Sequence, residues 1–106
     1  MPDLPGFPSL TAIDVHCVPL ATGWRCVVTV DDGHGTSTHE VTVATEQATD
    51  LAAATDGHDV ERLVYETFAF LLERESKGSI LRSFDLTVVS RYFPEFESEI
   101  RSRLAP

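Results

Sequence analysis

The side chains that could hold a metal ion lie in the first half of the chain, on or between three predicted strands. Histidine nitrogens, cysteine sulfurs and carboxylate oxygens are the ligands that zinc takes in proteins. The chain supplies these types at His16, Cys17, Cys26, Asp31, Asp32, His34, His39 and Glu40. Strand alternation points neighbours such as His16 and Cys17 to opposite faces, so four ligands do not converge. The sequence therefore predicts no metal or other cofactor, and the candidate ligands that remain are His34, His39, Asp31 and Asp32.

The two cysteines, Cys17 and Cys26, are also the candidate nucleophiles. A reactive cysteine needs a nearby cation or a helix N-terminus that lowers the pKa of its thiol, and the sequence places no obvious cation beside either one. No C-x-x-C spacing is present. We expect both thiols to be buried, inert and, in a cytosolic protein, reduced. No catalytic residue is assigned, and the sequence favours a protein that is not an enzyme.

Residues 79–93, SILRSFDLTVVSRYF, have the helix, break and helix arrangement of a DNA-binding helix-turn-helix. A recognition helix needs basic and amide side chains on an exposed face. The second segment offers Arg91 with Thr87 and Ser90, and its other side chains are of core type. We therefore interpret this region as packing and expect no nucleic-acid partner.

The chain is acidic, with a net charge of −9 that is unevenly placed. Residues 1–78 carry 4 basic and 13 acidic side chains, whereas residues 79–106 carry 4 of each. An acidic surface repels phosphate backbones and keeps a small protein soluble. No run of about 18 apolar residues predicts a membrane span. The N-terminus has neither the basic nor the apolar region of a secretion signal, which favours a cytoplasmic location.

Three segments alternate apolar and polar residues with the period of a β-strand: TAIDVHCV, WRCVVTV and TSTHEVTV. Short links rich in Gly, Pro and Asp join them, so they predict a three-stranded antiparallel meander. A turn centred on Ala21-Thr22 would place Cys17 opposite Cys26. The same register sets Val15 against Val28 and Ile13 against Val30. All six side chains then share the apolar face.

We predict an α+β domain over residues 10–106, preceded by an extended arm over the proline-rich residues 1–9. Helices are expected at about 46–54, 59–75, 79–84, 86–93 and 94–104, packed on one face of the sheet. Thr45, Asp56 or Asp59, and Asp85 are the expected caps. The apolar arc of the 59–75 helix covers about 220°, which is wider than a surface helix needs. The sheet must cover one side of this helix, and the C-terminal segment or a second copy must cover another.

Several aromatic residues and one arginine are candidates for a protein interface, where these types are favoured. They are Trp24, Tyr65, Phe70, Arg91, Tyr92 and Phe93. The more common interpretation of such aromatic residues assigns them to the core. The wide apolar arc of the 59–75 helix favours the interface interpretation.

Residues 60–100 resemble a group of small, uncharacterised bacterial proteins of about this length. The shared pattern is an FLLERE helix, then SIL and FDL segments, then YFPE and a closing helix that is acidic before it is basic. It falls here on Phe70–Glu75, Ser79–Leu86 and Tyr92–Glu95, with Val89 where the group commonly has isoleucine. The resemblance implies the architecture and a bacterial, cytoplasmic setting. It implies no catalytic residue.

The sequence leaves three functional hypotheses. The first is a small non-enzymatic protein that acts through contacts, with a second copy of itself or with a larger protein partner. The second is a metal-dependent or cysteine-dependent small enzyme. The third is an acidic regulator that imitates nucleic acid or neutralises a basic partner.

Overall fold

The three alternating segments form the predicted meander. In this computed structural model, which describes residues 11–105, strand β1 is Ala12–Leu20, β2 is Gly23–Asp31 and β3 is Thr36–Ala44. The register is the predicted one, with Cys17 opposite Cys26 and Val15 opposite Val28. Alternation specifies the register because a slip of one residue would turn every buried valine to the solvent. The predicted arm, residues 1–9, lies outside the described residues.

A fourth strand, β4 (Ser83–Asp85), makes the sheet mixed, because it runs parallel to β3. Glu40 N–H donates to the carbonyl of Arg82 and Leu86 N–H donates to that of Thr42. The helix predicted over 79–84 is therefore wrong: a 3-10 turn covers Lys77–Ser79, and the next residues extend along β3. The unpaired edge of β3 offers hydrogen bonds that a short isolated helix does not. Without that helix, residues 79–93 do not form a helix-turn-helix.

The described part of the chain has four helices, which complete the α+β fold, and each lies close to a predicted one. They are α1 (Thr45–Ala52), α2 (Gly57–Leu72), α3 (Thr87–Tyr92) and α4 (Phe96–Leu104). Asp56 caps α2, since its carboxylate accepts the N–H of Asp59 at 3.0 Å. Thr45 is the first residue of α1 rather than its cap. None of the helices within residues 11–105 has the length and apolar character that crossing a bilayer requires.

The helices cover one face of the sheet and enclose the core. Helix α2 buries residues on most of its circumference, including both Phe68 and Phe70. The sheet covers the first side, where the rings of Phe68 and Phe84 lie 6.1 Å apart. Helix α4 covers the second side through Phe96, whose ring lies 5.2 Å from that of Phe70. The C-terminal segment of the same chain therefore covers the second side of α2.

Among residues 11–105, no helix lies on the opposite face of the sheet. Its residues alternate with the buried ones, and they include half-exposed Val18, Leu20 and Val27. An ion pair of 3.3 Å between Arg25 and Glu40 lies on the same face. This mixture of apolar and charged side chains is that of an ordinary solvent-facing sheet surface.

Cys17 and Cys26 form a disulfide, with their Cα atoms 4.0 Å apart. The expectation that both are buried is confirmed, at 9% and 0% exposure. The expectation of two reduced thiols is not met in this structure. The register explains the pairing, because it sets the two residues directly opposite each other on adjacent strands and on the same face.

Candidate functional site

An apolar groove opens beside β4, between the last turn of α2 and α3. It has a volume of about 230 Å³, below the roughly 300–1,000 Å³ of small-molecule sites. A groove of this size suits one or two protein side chains. Its walls are Leu71, Glu75, Ser79, Ile80, Leu81, Phe84, Val88, Val89, Tyr92 and Phe93. Leu81 is 50% exposed and Tyr92 is 69% exposed, so two large side chains beside the groove face solvent.

His39 fixes the wall that carries Leu81. Its Nδ1 lies 2.7 Å from the carbonyl oxygen of Leu81, and since that oxygen can only accept, Nδ1 carries the hydrogen. In the neutral imidazole Nε2 then accepts from the hydroxyl of Ser37, at 2.8 Å. The ring also lies 5.3 Å from that of Phe68. The side chain of Leu81 is left to point outward while its backbone is held from inside.

The wall formed by Phe93 is fixed by Phe70 and Arg74. The rings of Phe70 and Phe93 meet edge to face, with centroids 5.7 Å apart. The guanidinium of Arg74 lies 3.6 Å from the centre of the Phe70 ring, a cation–π contact. Arg74 also donates to the carbonyl of Phe70 at 3.1 Å and to Glu95 at 3.2 Å. The last turn of α2 and the segment before α4 are thus held together.

A second set of ion pairs holds α4 against the end of α2, next to the groove wall formed by Phe93. Arg103 donates to both carboxylate oxygens of Glu73, at 2.7 and 2.8 Å, and to Glu99 at 3.2 Å. The hydrogen bond from Arg103 lowers the pKa of Glu73 below its ordinary value. The same partner raises the pKa of Arg103. Two pairs spaced by four residues on α4, Glu97–Arg101 and Glu99–Arg103, add ion pairs of 3.9 and 3.2 Å.

The candidate metal ligands do not converge. His39 is 2% exposed, and both of its ring nitrogens have hydrogen-bond partners within the chain, so neither is open to a metal ion. Asp31 and Asp32 accept the backbone N–H groups of Gly33 and His34, both at 2.9 Å, which is turn chemistry. The N–H of His34 and the ammonium of Lys77 lower the pKa of Asp32. Residues 11–105 contain no group of three or more His, Cys, Asp or Glu side chains placed to hold a metal ion.

The candidate interface residues fall in four places. Tyr92 and Phe93 line the groove, and Arg91 is exposed beside them on α3. Phe70 is fully buried between aromatic rings, so it belongs to the core. Tyr65 is 44% exposed on α2, away from the groove walls.

The fourth place is the far end of the sheet. Trp24 is half-buried there, where its ring would meet a Cβ on Gly57 at 3.2 Å. It lines a shallow hollow of about 460 Å³ with Leu20 and Glu46. Trp24 therefore lies apart from Tyr92 and Phe93.

The outer edge of β1 is closed to strand pairing over part of its length. Cys17 N–H points away from β2 and donates to Glu61 Oε2 at 3.1 Å. Pro19, two residues further on and facing the same way, has no N–H to donate. Blocked donors of this kind keep a sheet edge from recruiting another strand.

Two features of the groove were not predicted from the sequence. The first feature is Leu81. The sequence predicts a helix over residues 79–84 and therefore does not predict an exposed Leu81 at the end of an extended segment. The second feature is the burial of His39, although the strand parity that it shares with buried Val41 and Val43 assigns it to the inner face.

The chain matches no protein-family model, no curated protein and no solved structure.

We expect the substitution Glu73→Gln to remove a pH-dependent part of the stability. Because the pKa of Glu73 is lower in the folded chain than its ordinary 4.5, its ion pair stabilises the fold above pH 4.5, and this contribution is lost as the pH falls through the lowered value. The variant should be less stable than the parent at pH 7, and the two should converge at low pH. Denaturant unfolding at a series of pH values measures this.

The matched control is Glu66→Gln on α2, the helix that ends at the residue before Glu73, since Glu66 forms no ion pair within residues 11–105. It should shift the stability by a small and nearly constant amount. A Glu73→Gln effect that is the same at neutral and acid pH would contradict the assigned role of Arg103.

Proposed function

We propose that the protein acts through protein–protein contacts and associates with a second copy of itself at the groove. The observation that carries this proposal is the pair of solvent-facing side chains, Leu81 and Tyr92, beside an apolar groove. Exposed large apolar groups that lie together mark interaction sites more often than scattered ones do. Tyrosine and arginine are also the types most often found at the energetic centre of interfaces, and Arg91 is next to Tyr92.

The charge distribution supports a second copy as the partner. Most of the acidic excess lies in residues 1–78, whereas the groove is built mainly from residues 79–93, in a segment with no net charge. Two copies of an acidic chain therefore repel each other least when they meet at this surface. Glu75 lines the groove, and Arg91 has no carboxylate partner among residues 11–105. A two-fold interface could set Arg91 of each copy against Glu75 of the other.

The closed edge of β1 also favours the groove over strand addition. Edge pairing is the usual alternative route by which a small sheet protein associates with itself. Glu61 and Pro19 remove two outward donors from β1. Side-chain packing at the groove needs no backbone donors, so it is unaffected by that closure.

We infer a bacterial, cytoplasmic setting from the resemblance of residues 60–100 to the group of small bacterial proteins. The disulfide bears on this inference, because the cytosol keeps protein thiols reduced. Two thiols held directly opposite each other would close readily outside the cell.

If the cytoplasmic setting is right, Cys17 and Cys26 are thiols in the cell. Rapid acid quenching and alkylation of a bacterial host that expresses the protein in its cytoplasm, followed by mass spectrometry, should find both residues alkylated. Purified protein left in air should show the disulfide instead, which serves as the control. A disulfide already present in the quenched cells would argue against two thiols in that compartment.

Sedimentation over roughly 1 μM to 1 mM protein, the span of ordinary weak affinities, tests the self-association. We expect the average mass to rise with concentration. Tyr92→Ser should weaken the association by about tenfold or more, the effect of losing one interface anchor. Tyr65→Ser is the matched control, since Tyr65 is also exposed but lies away from the groove, and it should leave the mass curve unchanged.

A charge exchange tests the geometry of the same interface. Arg91→Glu should weaken the association, and adding Glu75→Arg should restore it, because the pair is remade with reversed signs. A strict monomer throughout the concentration range, or equal effects of Tyr92→Ser and Tyr65→Ser, would overturn the proposal.

A further inference from the structure

The sheet has two outer edges, and they differ in what they offer to another strand. The strand order is β1, β2, β3, β4, so β1 and β4 are the outer strands of the sheet within residues 11–105. At β1 the N–H of Cys17 is taken by Glu61, and Pro19 has no N–H to donate. No proline lies in β4, whose three residues are Ser, Phe and Asp. Strand β4 is therefore the edge at which the sheet can be extended.

The hydrogen bonds between β3 and β4 fix which backbone groups of β4 point outward. Arg82, Phe84 and Leu86 direct their backbone groups towards β3, because alternate residues of a strand bond to the same neighbour. The N–H and C=O groups of Ser83 and Asp85 therefore point away from the sheet. No residue within 11–105 forms a hydrogen bond with these outward backbone groups.

The open edge of β4 is one side of the groove. Phe84 in the middle of β4 and Leu81 just before it line the groove, and Ser83 between them is exposed. Leu81 is also one of the two solvent-facing side chains on which the proposed self-association rests. The backbone edge and the groove form one continuous surface, so a second copy seated at the groove also reaches β4.

A second copy can add its own β4 around a two-fold axis, which makes the two strands antiparallel. With Phe84 on the axis, Ser83 of each copy lies opposite Asp85 of the other. These are the residues whose N–H and C=O groups point outward, so each opposed pair exchanges both of its N–H···O bonds. The outward groups of β4 are then all satisfied by the other copy.

The neighbouring two-fold registers are less favourable. An axis at Asp85 would set the two copies of its carboxylate directly opposite each other, and like charges in that position are destabilising. An axis at Ser83 would place Asp85 opposite Leu81, whose carbonyl points inward and accepts the hydrogen bond of His39. The register centred on Phe84 avoids both problems.

We propose that two copies join their sheets through β4, antiparallel around a two-fold axis at Phe84, so that one continuous sheet runs through the dimer. Leu81 of each copy then lies opposite Thr87 at the start of the other copy's α3, beside the groove that Val88 lines. This geometry rests on the proposed self-association, because backbone bonds over so short a strand hold little without the side-chain contacts at the groove.

Hydrogen exchange of the unmodified chain tests the geometry amide by amide. As the protein is concentrated through its association, the amides of Ser83 and Asp85 should gain protection in step with the average mass. The amide of Val15, which points outward from β1 as that of Cys17 does, is the control and should keep its exchange rate. Association without protection of Ser83 and Asp85 would overturn strand addition and leave the proposed self-association standing. A strict monomer would remove both.

The substitution Ser83→Pro removes one outward N–H and leaves the bonds to β3 intact, because Ser83 makes none of them. It should weaken the association at least about tenfold, since both copies lose a donor. Ser83→Ala is the matched control, because it keeps the N–H, and it should change the association by less than about twofold. Equal association of the two variants would overturn the proposal. If the proline variant fails to fold, the exchange measurement on the unmodified chain decides.

A mixture of isotope-labelled and unlabelled copies tests the register. Residues that face each other without exchanging hydrogen bonds have Cα atoms about 4.5 Å apart. The α protons of Phe84 in the two copies should therefore show a nuclear Overhauser contact at concentrations where the mass shows association. Absence of this contact in the associated protein would overturn the register centred on Phe84.

Discussion

The wide apolar surface of α2 is the constraint on which the rest of the structure depends. A helix that is apolar over more than half its circumference cannot lie on a sheet with one stripe and leave the remainder in water. Here the sheet covers Phe68 and the C-terminal helix covers Phe70. The chain after α2 must therefore return along the edge of β3 as β4 and then cross the end of α2 as α3 and α4. The groove forms where the extended segment at β4 and the helix α3 diverge.

Several polar contacts hold the chain after α2 on this path. His39 binds the carbonyl of Leu81 and brings the returning chain to β3. Arg74 then binds Glu95 just before α4, and Arg103 on α4 binds Glu73 at the end of α2. Arg74 also lies over the Phe70 ring. Exposed ion pairs contribute little singly, but both arginines also lie within 6 Å of the Phe70 ring. Burial of apolar surface supplies most of the stability of the fold. The polar contacts of His39, Arg74 and Arg103 determine which segment of the chain covers α2.

The sequence predicted the part of the fold that depends on local pattern. The register of β1 and β2 followed from the parity of valines, and the expected coverage of α2 followed from the width of its apolar arc. The fourth strand was missed because SILRSF has little pattern of its own, and its conformation is imposed by the open edge of β3. The groove was missed for the same reason, since a concave surface depends on how distant segments meet. Tyr92 and Phe93 could be named as candidates by residue type, but Leu81 could not.

Native-state hydrogen exchange of the full chain with Ile100→Ala tests most directly whether the C-terminal segment covers α2. Ile100 is fully buried on α4, so its truncation should cost about 2–5 kcal/mol. We expect the amides of α2 around Phe68 to lose protection by that amount, at every protein concentration. Unchanged protection of α2 in the variant, or protection in the parent that appears only at high concentration, would show that something other than the chain's own last helix covers α2.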